Sequence, residues 1–332
     1  MFRRWPPVVL LAAIALAAAI GLPGATPAAS TATGPTVGGC PVFPATDPWN
    51  RDVSGDAVDP HSGTYLAAQA KGADVHLDLG TRASEGYGIP FVTVERGQRR
   101  VPIRFGVDGE DYRDESDRGR APIPPKAPIE GGTPTRPNPR EGDRHVLVIE
   151  RGRCILTELY HAQRVTSGGK VTGWRASSVA RFDLRKPKPR PAGWTSADAA
   201  GLPIFPGLLR YEEASGAGIH HALRVTLPTA RKAYTAPARH CGPSERPDAL
   251  PYGARLRLKA SFPEGRYTGA ALAVVRALKR YGLIFADQGS ALYVSGTTAS
   301  GWSGVLDQLH GGAGAIPWDA FQVLKLGAVT RC

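Results

Sequence analysis

Two apolar rhythms run along this chain, and the two-residue one dominates. Val75-His76-Leu77-Asp78-Leu79 alternates apolar and polar positions, the pattern of a half-buried strand. Phe91-Val92-Thr93-Val94-Glu95 and Val101-Pro102-Ile103-Arg104-Phe105 read as a hairpin around a turn containing Gly97. Further strand segments are His145–Glu150, Cys154–Tyr160, Trp174–Leu184, Ala222–Leu227, Ala254–Ala260, Leu283–Ala286 and Leu292–Val294. The helical rhythm is clear once: Ala271, Val274, Val275, Leu278 and Tyr281 share one face of a helix over 269–281. Thr268 can cap its start and Gly282 its end. Arg276, Lys279 and Arg280 take its polar side and its C-terminal turn, where cations are favoured. Shorter helices are expected from Thr195-Ser196-Ala197-Asp198 and over 206–214. With no internal repeat, the elements predict a β-rich α+β domain, a β-sandwich or jelly-roll-like fold with a few short helices.

The ends of the chain and its interruptions set the domain plan. Arg3 and Arg4 precede an apolar run from Val8 to Ile20, followed by small residues from Ala25 to Ser30. This is the layout of a secretory signal peptide over residues 1–30, so the protein is expected to be secreted. A Pro/Gly-rich entry segment follows over 31–60, and a single domain over 61–332. No later segment approaches ~20 consecutive apolar residues, so no stable membrane span is expected. Residues 108–143 lack apolar periodicity. They hold Asp108, Glu110, Asp111, Asp114, Glu115 and Asp117, then Pro122, Pro124, Pro125 and Pro128. A loop of this length is either functional or a polyproline-like strap on the surface. Its acidic run offers oxygen ligands to calcium but lacks the glycine placement of the twelve-residue calcium loop.

Composition and charge narrow the chemistry. The formal net charge is +12, two units of it from Arg3 and Arg4. Such a charge attracts anionic partners, although an Ala-, Arg-, Gly- and Pro-rich chain with little Lys also reads as genomic composition. Export argues against nucleic acid as a partner. Four cysteines, Cys40, Cys154, Cys241 and Cys332, read as two disulfides in an exported chain, with three pairings open. No C-x-x-C spacing suggests zinc. The G-x-S-x-G elbow, the H-E-x-x-H helix, the P-loop and the dinucleotide fingerprint are all missing, which argues against the commonest hydrolase, zincin and nucleotide-dependent classes, although a convergent triad leaves no such motif.

One constellation carries chemistry. The run Asp143-Arg144-His145, the strand to Glu150, the turn at Arg151-Gly152 and the strand to Tyr160 form a hairpin pattern. A two-residue turn would set His145 opposite Glu158 and Asp143 opposite Tyr160. Alternate residues share a face, so Asp143, His145, Glu158 and Tyr160 would project together. Two carboxylates beside an imidazole can run acid–base chemistry or bind a divalent metal; the plainer alternative is a solvated face of the sheet. A one-residue slip would move Glu158 to the other side. His220 and His221 must point to opposite faces of a strand. His221 is the one assigned to a cleft, with a core histidine bonded to backbone as the plainer role. His240 reads as structural, and Asp287 as a turn former through its side chain.

On the segments Cys40–Pro44, Asp143–Val148, Glu158–Tyr160, Ala192–Leu209, His221–Arg224, Leu256–Ala260 and Ala277–Asp287 the chain resembles a group of exported bacterial proteins of actinobacterial type. The resemblance spans most of residues 40–300 and brings no activity with it. It implies an extracellular or envelope role. The resemblance implies the pairs Cys40–Cys154 and Cys241–Cys332.

The expected function is a secreted carbohydrate-active protein, a hydrolase or lyase on an extracellular polysaccharide or cell-envelope glycan. Asp143 and Glu158 would act as acid and base or nucleophile, with His145 assisting and no cofactor required beyond an optional divalent metal. Trp174, Trp194, Tyr211 and Trp302 would stack on sugar rings. The alternative is a non-catalytic glycan-binding or envelope protein.

Overall fold

The computed structural model describes Met1 and residues 34–332; the expected signal peptide falls outside the described residues. Residues 34–332 form one compact unit. Its elements begin with β1 (Thr36–Val37), β2 (Cys40–Pro41), α1 (Ser62–Ala67), β3 (His76–Asp78), β4 (Phe91–Val94) and β5 (Ile103–Phe105). After the long 108–143 segment come β6 (Val146–Glu150), β7 (Ile155–Tyr160), β8 (Gln163–Ser167), β9 (Lys170–Ala176) and β10 (Ser178–Asp183). The remainder holds α2 (Tyr211–Ala214), β11 (Leu223–Leu227), β12 (Ala230–Thr235), β13 (Leu250–Tyr252), β14 (Arg255–Leu258), α3 (Gly269–Arg280), β15 (Leu283–Gln288), β16 (Tyr293–Ser295), α4 (Ser303–Leu309), β17 (Phe321–Val323) and β18 (Val329–Arg331).

The fold is a β-rich α+β domain built from stacked sheets. A four-stranded sheet, β10-β7-β6-β4, lies in the middle. One of its faces, with Val146, Val148, Leu159 and Val179, packs against Trp174 of β9 and against Ile123 and Ile129 of the long segment. Its other face, with Leu147, Ile149, Leu156 and Phe182, belongs to the larger core. That core includes Leu223, Val225 and Phe285 of the six-stranded sheet β17-β14-β15-β11-β16-β3, and Val274 and Leu278 of α3. Burial on both faces explains why β6 reads as a continuous apolar run and not as an alternation.

Helix α3 forms as the periodicity predicts. Gly282 ends it at φ +68°, and its N–H donates to Ala277 O at 3.0 Å, a six-to-one closure that suits glycine. Thr268 makes no side-chain cap; its N–H and hydroxyl both reach Gln308 Oε1 instead. Both disulfides, Cys40–Cys154 and Cys241–Cys332, are formed. Among the described residues no helix is long and apolar enough to cross a membrane.

Four expectations need correcting. The Phe91–Phe105 hairpin does not form: β4 runs parallel to β6 and β5 runs parallel to β9, in different sheets. Pro102 has no N–H to give a ladder, and its carbonyl instead accepts from Trp174 N at 3.0 Å. Residues 195–198 make a tight turn and not a helix. The Ser196 hydroxyl donates to Leu202 O and accepts from Asp198 N, and the Asp198 carboxylate accepts from Ala200 N. Such local side-chain bonds compete with a helix. The entry segment is part of the core, with Cys40, Val42, Phe43, Trp49 and Val53 buried. Trp174 and Trp302 are fully buried and offer no ring to a ligand.

Candidate functional site

The β6–β7 hairpin forms, with its register two residues from the expected one. Leu147 faces Glu158 and Val146 faces Leu159. The turn takes four residues, Arg151 to Cys154, with Gly152 at φ +75° and Cys154 at φ +54°. The disulfide to Cys40 holds Cys154 outside the ladder. A shift of two preserves the face, so His145, Glu158 and Tyr160 still project to one side, at three depths.

Glu158 sits deepest, with no exposed surface. Its carboxylate accepts from Ile204 N (3.0 Å) and Phe205 N (2.8 Å) at the start of a 3₁₀ turn over Phe205–Gly207. Burial pushes it up to about 7, against the two N–H donors. This carboxylate holds the 204–207 backbone in place and does not meet a substrate.

Above it opens a cavity of about 330 Å³. Tyr112 and Asp143 line it from the two ends of the long segment, which is therefore both a strap over the second core and a wall of the site. Tyr160 of β7 and Ser178 of β10, cross-strand neighbours, form another wall. The 195–199 turn, His240, Asp287 and Gln288 complete it. Glu115, from the acidic run, secures the turn by accepting from both the N–H and the hydroxyl of Thr195. Other acids of that run have partners: Asp108 pairs with Arg144, Asp111 with Arg113 and Asp117 with Arg190, and Glu110 lies 2.9 Å from the His161 ring, whose pKa burial lowers. This pairing leaves no calcium loop there.

His145 is nearly buried. Its Nδ1 lies 2.6 Å from Glu130 Oε2 and its Nε2 lies 2.9 Å from Ala197 O. Both nitrogens face acceptors, so both carry protons and the ring is an imidazolium. Burial works against that charge, but Glu130 outweighs it and lifts the group to about 9. Glu130, Asp143 and His145 bring ligand atoms within 4.8 Å of one another. Both His145 nitrogens are already hydrogen-bonded, so a cation here would have to displace a ring proton from Glu130 or from Ala197 O.

The carboxyl that the sequence analysis gave only a turn role is Asp287. It does accept from Gln288 N at 2.8 Å, but a bulge in the β11–β15 pairing at Ala286 turns it into the cavity, a common use of bulges beside functional sites. The side chain keeps 28 % exposure. Burial and then neighbouring Asp198 push it up to about 7. Behind it, buried Arg224 donates to Asp198 Oδ2 at 2.8 Å and to Ser295 Oγ at 2.6 Å, and lies 3.7 Å from Asp287 Oδ2. Burial opposes the charge on Arg224, and the two aspartates hold it above its ordinary value.

The structure thus brings Asp143, His145 and Tyr160 to one cavity and leaves Glu158 and His221 outside its walls. His221 is fully buried, with Nδ1 2.8 Å from Ala222 O and Nε2 3.0 Å from Glu213; it is the core histidine bonded to backbone. His240 lines the cavity, and its buried Nδ1 has no partner among the described residues. Asp198, Asp287, Tyr112 and Glu130 were not legible as site residues. Position 287, ending a strand ahead of Gly289, carried the faintest local signal.

No protein-family model, no curated protein and no solved structure matches this chain.

Proposed function

We propose that this cavity is the active site of a secreted carbohydrate-active enzyme working on an extracellular polysaccharide, with Asp287 as the proton donor. The observation that supports this reading is Asp287 itself: a carboxyl partly open to a cavity and held near 7, where a general acid works best. Asp143 stands on the same cavity as a second carboxylate. Tyr112 and Tyr160 supply aromatic faces, the role first expected of buried tryptophans. In the step we propose, Asp287 gives its proton to the glycosidic oxygen as the C–O bond breaks. Asp143 takes a proton from the water that adds to the sugar carbon. Two disulfides, which persist in oxidising compartments, support export. The resemblant segments around 143–148, 158–160, 192–209 and 277–287 each place residues in the cavity wall.

The test is turnover of soluble polysaccharides by the full chain. Asp287→Asn is expected to lower the rate by about 10²–10⁴-fold. Wild-type activity is expected to fall as pH rises through about 7, where the donor loses its proton. Undiminished cleavage by Asp287→Asn would overturn the assignment. Binding without cleavage would favour a glycan-binding protein.

A further inference from the structure

A cavity of about 280 Å³, sharing no lining residue with the site above, lies where the 48–56 segment meets the end of β12, the β13–β14 turn and the chain after β17. Its charged walls are Arg51, Arg255, Lys325 and one acid, Asp56. Arg51 forks onto Asp56 with hydrogen bonds of 2.9 and 2.6 Å, and Arg255 and Arg257 also help to hold this carboxyl below its ordinary value. One acid thus serves three arginines. Arg255 donates only to the Pro48 carbonyl, from Nη1 at 3.0 Å and from Nη2, which leaves the rest of its five N–H groups free. Among the described residues no carboxylate lies within ion-pair distance of Arg255 or Lys325. Other acids nearby are engaged: Asp52 with Arg280, Asp59 with the N–H groups of His61 and Leu326, Asp47 with Trp49 N. Burial and then Arg51 push the Arg255 guanidinium down to about 9, more than Asp56 and Asp47 offset. Thr235, buried on the same cavity, has a hydroxyl with no hydrogen-bond partner among the described residues, an uncommon state for a buried polar atom.

We infer that this cavity binds a phosphate group, with Arg255 as its bidentate anchor and Lys325 as the second cation. The inference is independent of the carbohydrate reading. A carboxylate brings one charge, which Arg255 alone would answer. A phosphate monoester brings about −1.5 to −2 charges at pH 7 and three strong acceptor oxygens, enough for both cations. A guanidinium takes phosphate oxygens in pairs, and an ammonium meets them as a point charge. Asp56 offers little repulsion, because Arg51 already covers both of its oxygens.

Isothermal titration of the full chain at pH 7 with inorganic phosphate, glycerol 3-phosphate and acetate tests it. Both phosphates are expected to bind, and acetate at least about tenfold more weakly. Arg255→Gln should weaken both phosphates by about tenfold or more. Lys325→Gln, at an exposed position, should weaken them by about threefold, and by less at high salt. Phosphate should raise the Tm of the wild type and leave that of Arg255→Gln unchanged, which separates a lost ligand from a lost fold. Tighter binding of glycerol 3-phosphate would assign the cavity to a phosphorylated molecule, and tighter binding of inorganic phosphate to the free ion; both orders uphold the inference. Acetate binding as tightly as phosphate, phosphate binding undiminished in both variants, or no phosphate binding would overturn it. None of these outcomes bears on polysaccharide turnover.

Discussion

At the scale of single residues, the site separates carboxylates by what their oxygens already do. Glu158 and Asp287 are both pushed up to about 7 by burial, yet only Asp287 lines the cavity. Glu158 is occupied by two backbone N–H groups that would otherwise be orphaned at the start of a turn. His145 is a similar case, an imidazolium fixed between Glu130 and Ala197 O. Replacing it as His145→Gln leaves Glu130 without its counter-charge, a change that costs about 3–5 kcal/mol for a buried pair. Glu130→Gln combined with His145→Gln is expected to cost less than His145→Gln alone, because no charge is then stranded. Urea unfolding of the single and double variants checks this, and a double variant no more stable than His145→Gln would refute the pairing.

Among the elements, the one most exposed to a single substitution is the α3–β15 junction. Gly282 occupies φ +68°, and a methyl group there would collide with the Leu256 carbonyl oxygen of β14. Gly282→Ala is therefore expected to destabilise by more than the ~1 kcal/mol that a strain-free Gly→Ala change gains. It should also disturb β15, which begins at Leu283 and carries Asp287 at its far end. Guanidinium unfolding gives the first effect, and loss of the proposed polysaccharide turnover in a still-folded protein the second. At this scale the helix and most strands were legible in the sequence, since periodicity is local information. So was the parity of the β6–β7 face, because register errors of two leave it unchanged. The β8–β9 hairpin was also readable in principle from Gly168-Gly169, both at positive φ, the geometry a two-residue turn demands. Strand partners were not readable. Nothing in Phe91–Val94 says that it pairs parallel with Val146–Glu150, nor does Leu283–Gln288 show that β11 separates it from β16.

Over the whole molecule, the buried ionisable groups set a dependence of stability on pH. His145 is raised from 6.5 to about 9, so its contribution is complete below 6.5 and is lost as pH rises through 9. Glu158 and Asp287, raised from 4.5 and 3.8 to about 7, contribute fully below those lower values and lose their contributions as pH rises through 7. Glu213 runs the other way. Against burial, Arg210 and His221 hold it at about 2, so its contribution is present above 4.5 and lost as pH falls through 2. Calorimetry is expected to show Tm falling from about pH 5 to pH 9 and again toward pH 2. His145→Gln should flatten the limb between 6.5 and 9. A Tm that climbs steadily from pH 5 to 9 would contradict the assignment.

What the sequence alone determined is whatever depends on neighbours along the chain: strand and helix periods, the α3 terminus, the opposite facing of His220 and His221, and the shared face of His145, Glu158 and Tyr160. Tertiary structure alone decided which of those groups meets solvent. Glu158 and His221 pass inward to bind backbone and a half-buried Glu213, while a bulge at Ala286 and a turn at 195–199 bring Asp287 and Asp198 to the cavity that Asp143 and Tyr112 close. The physical reason is one of range. Alternation fixes the side of a strand on which a residue lies, but burial and electrostatic neighbours are set by other segments, 46 residues away for Glu158 and Ile204 and 88 for Asp287 and Ala199.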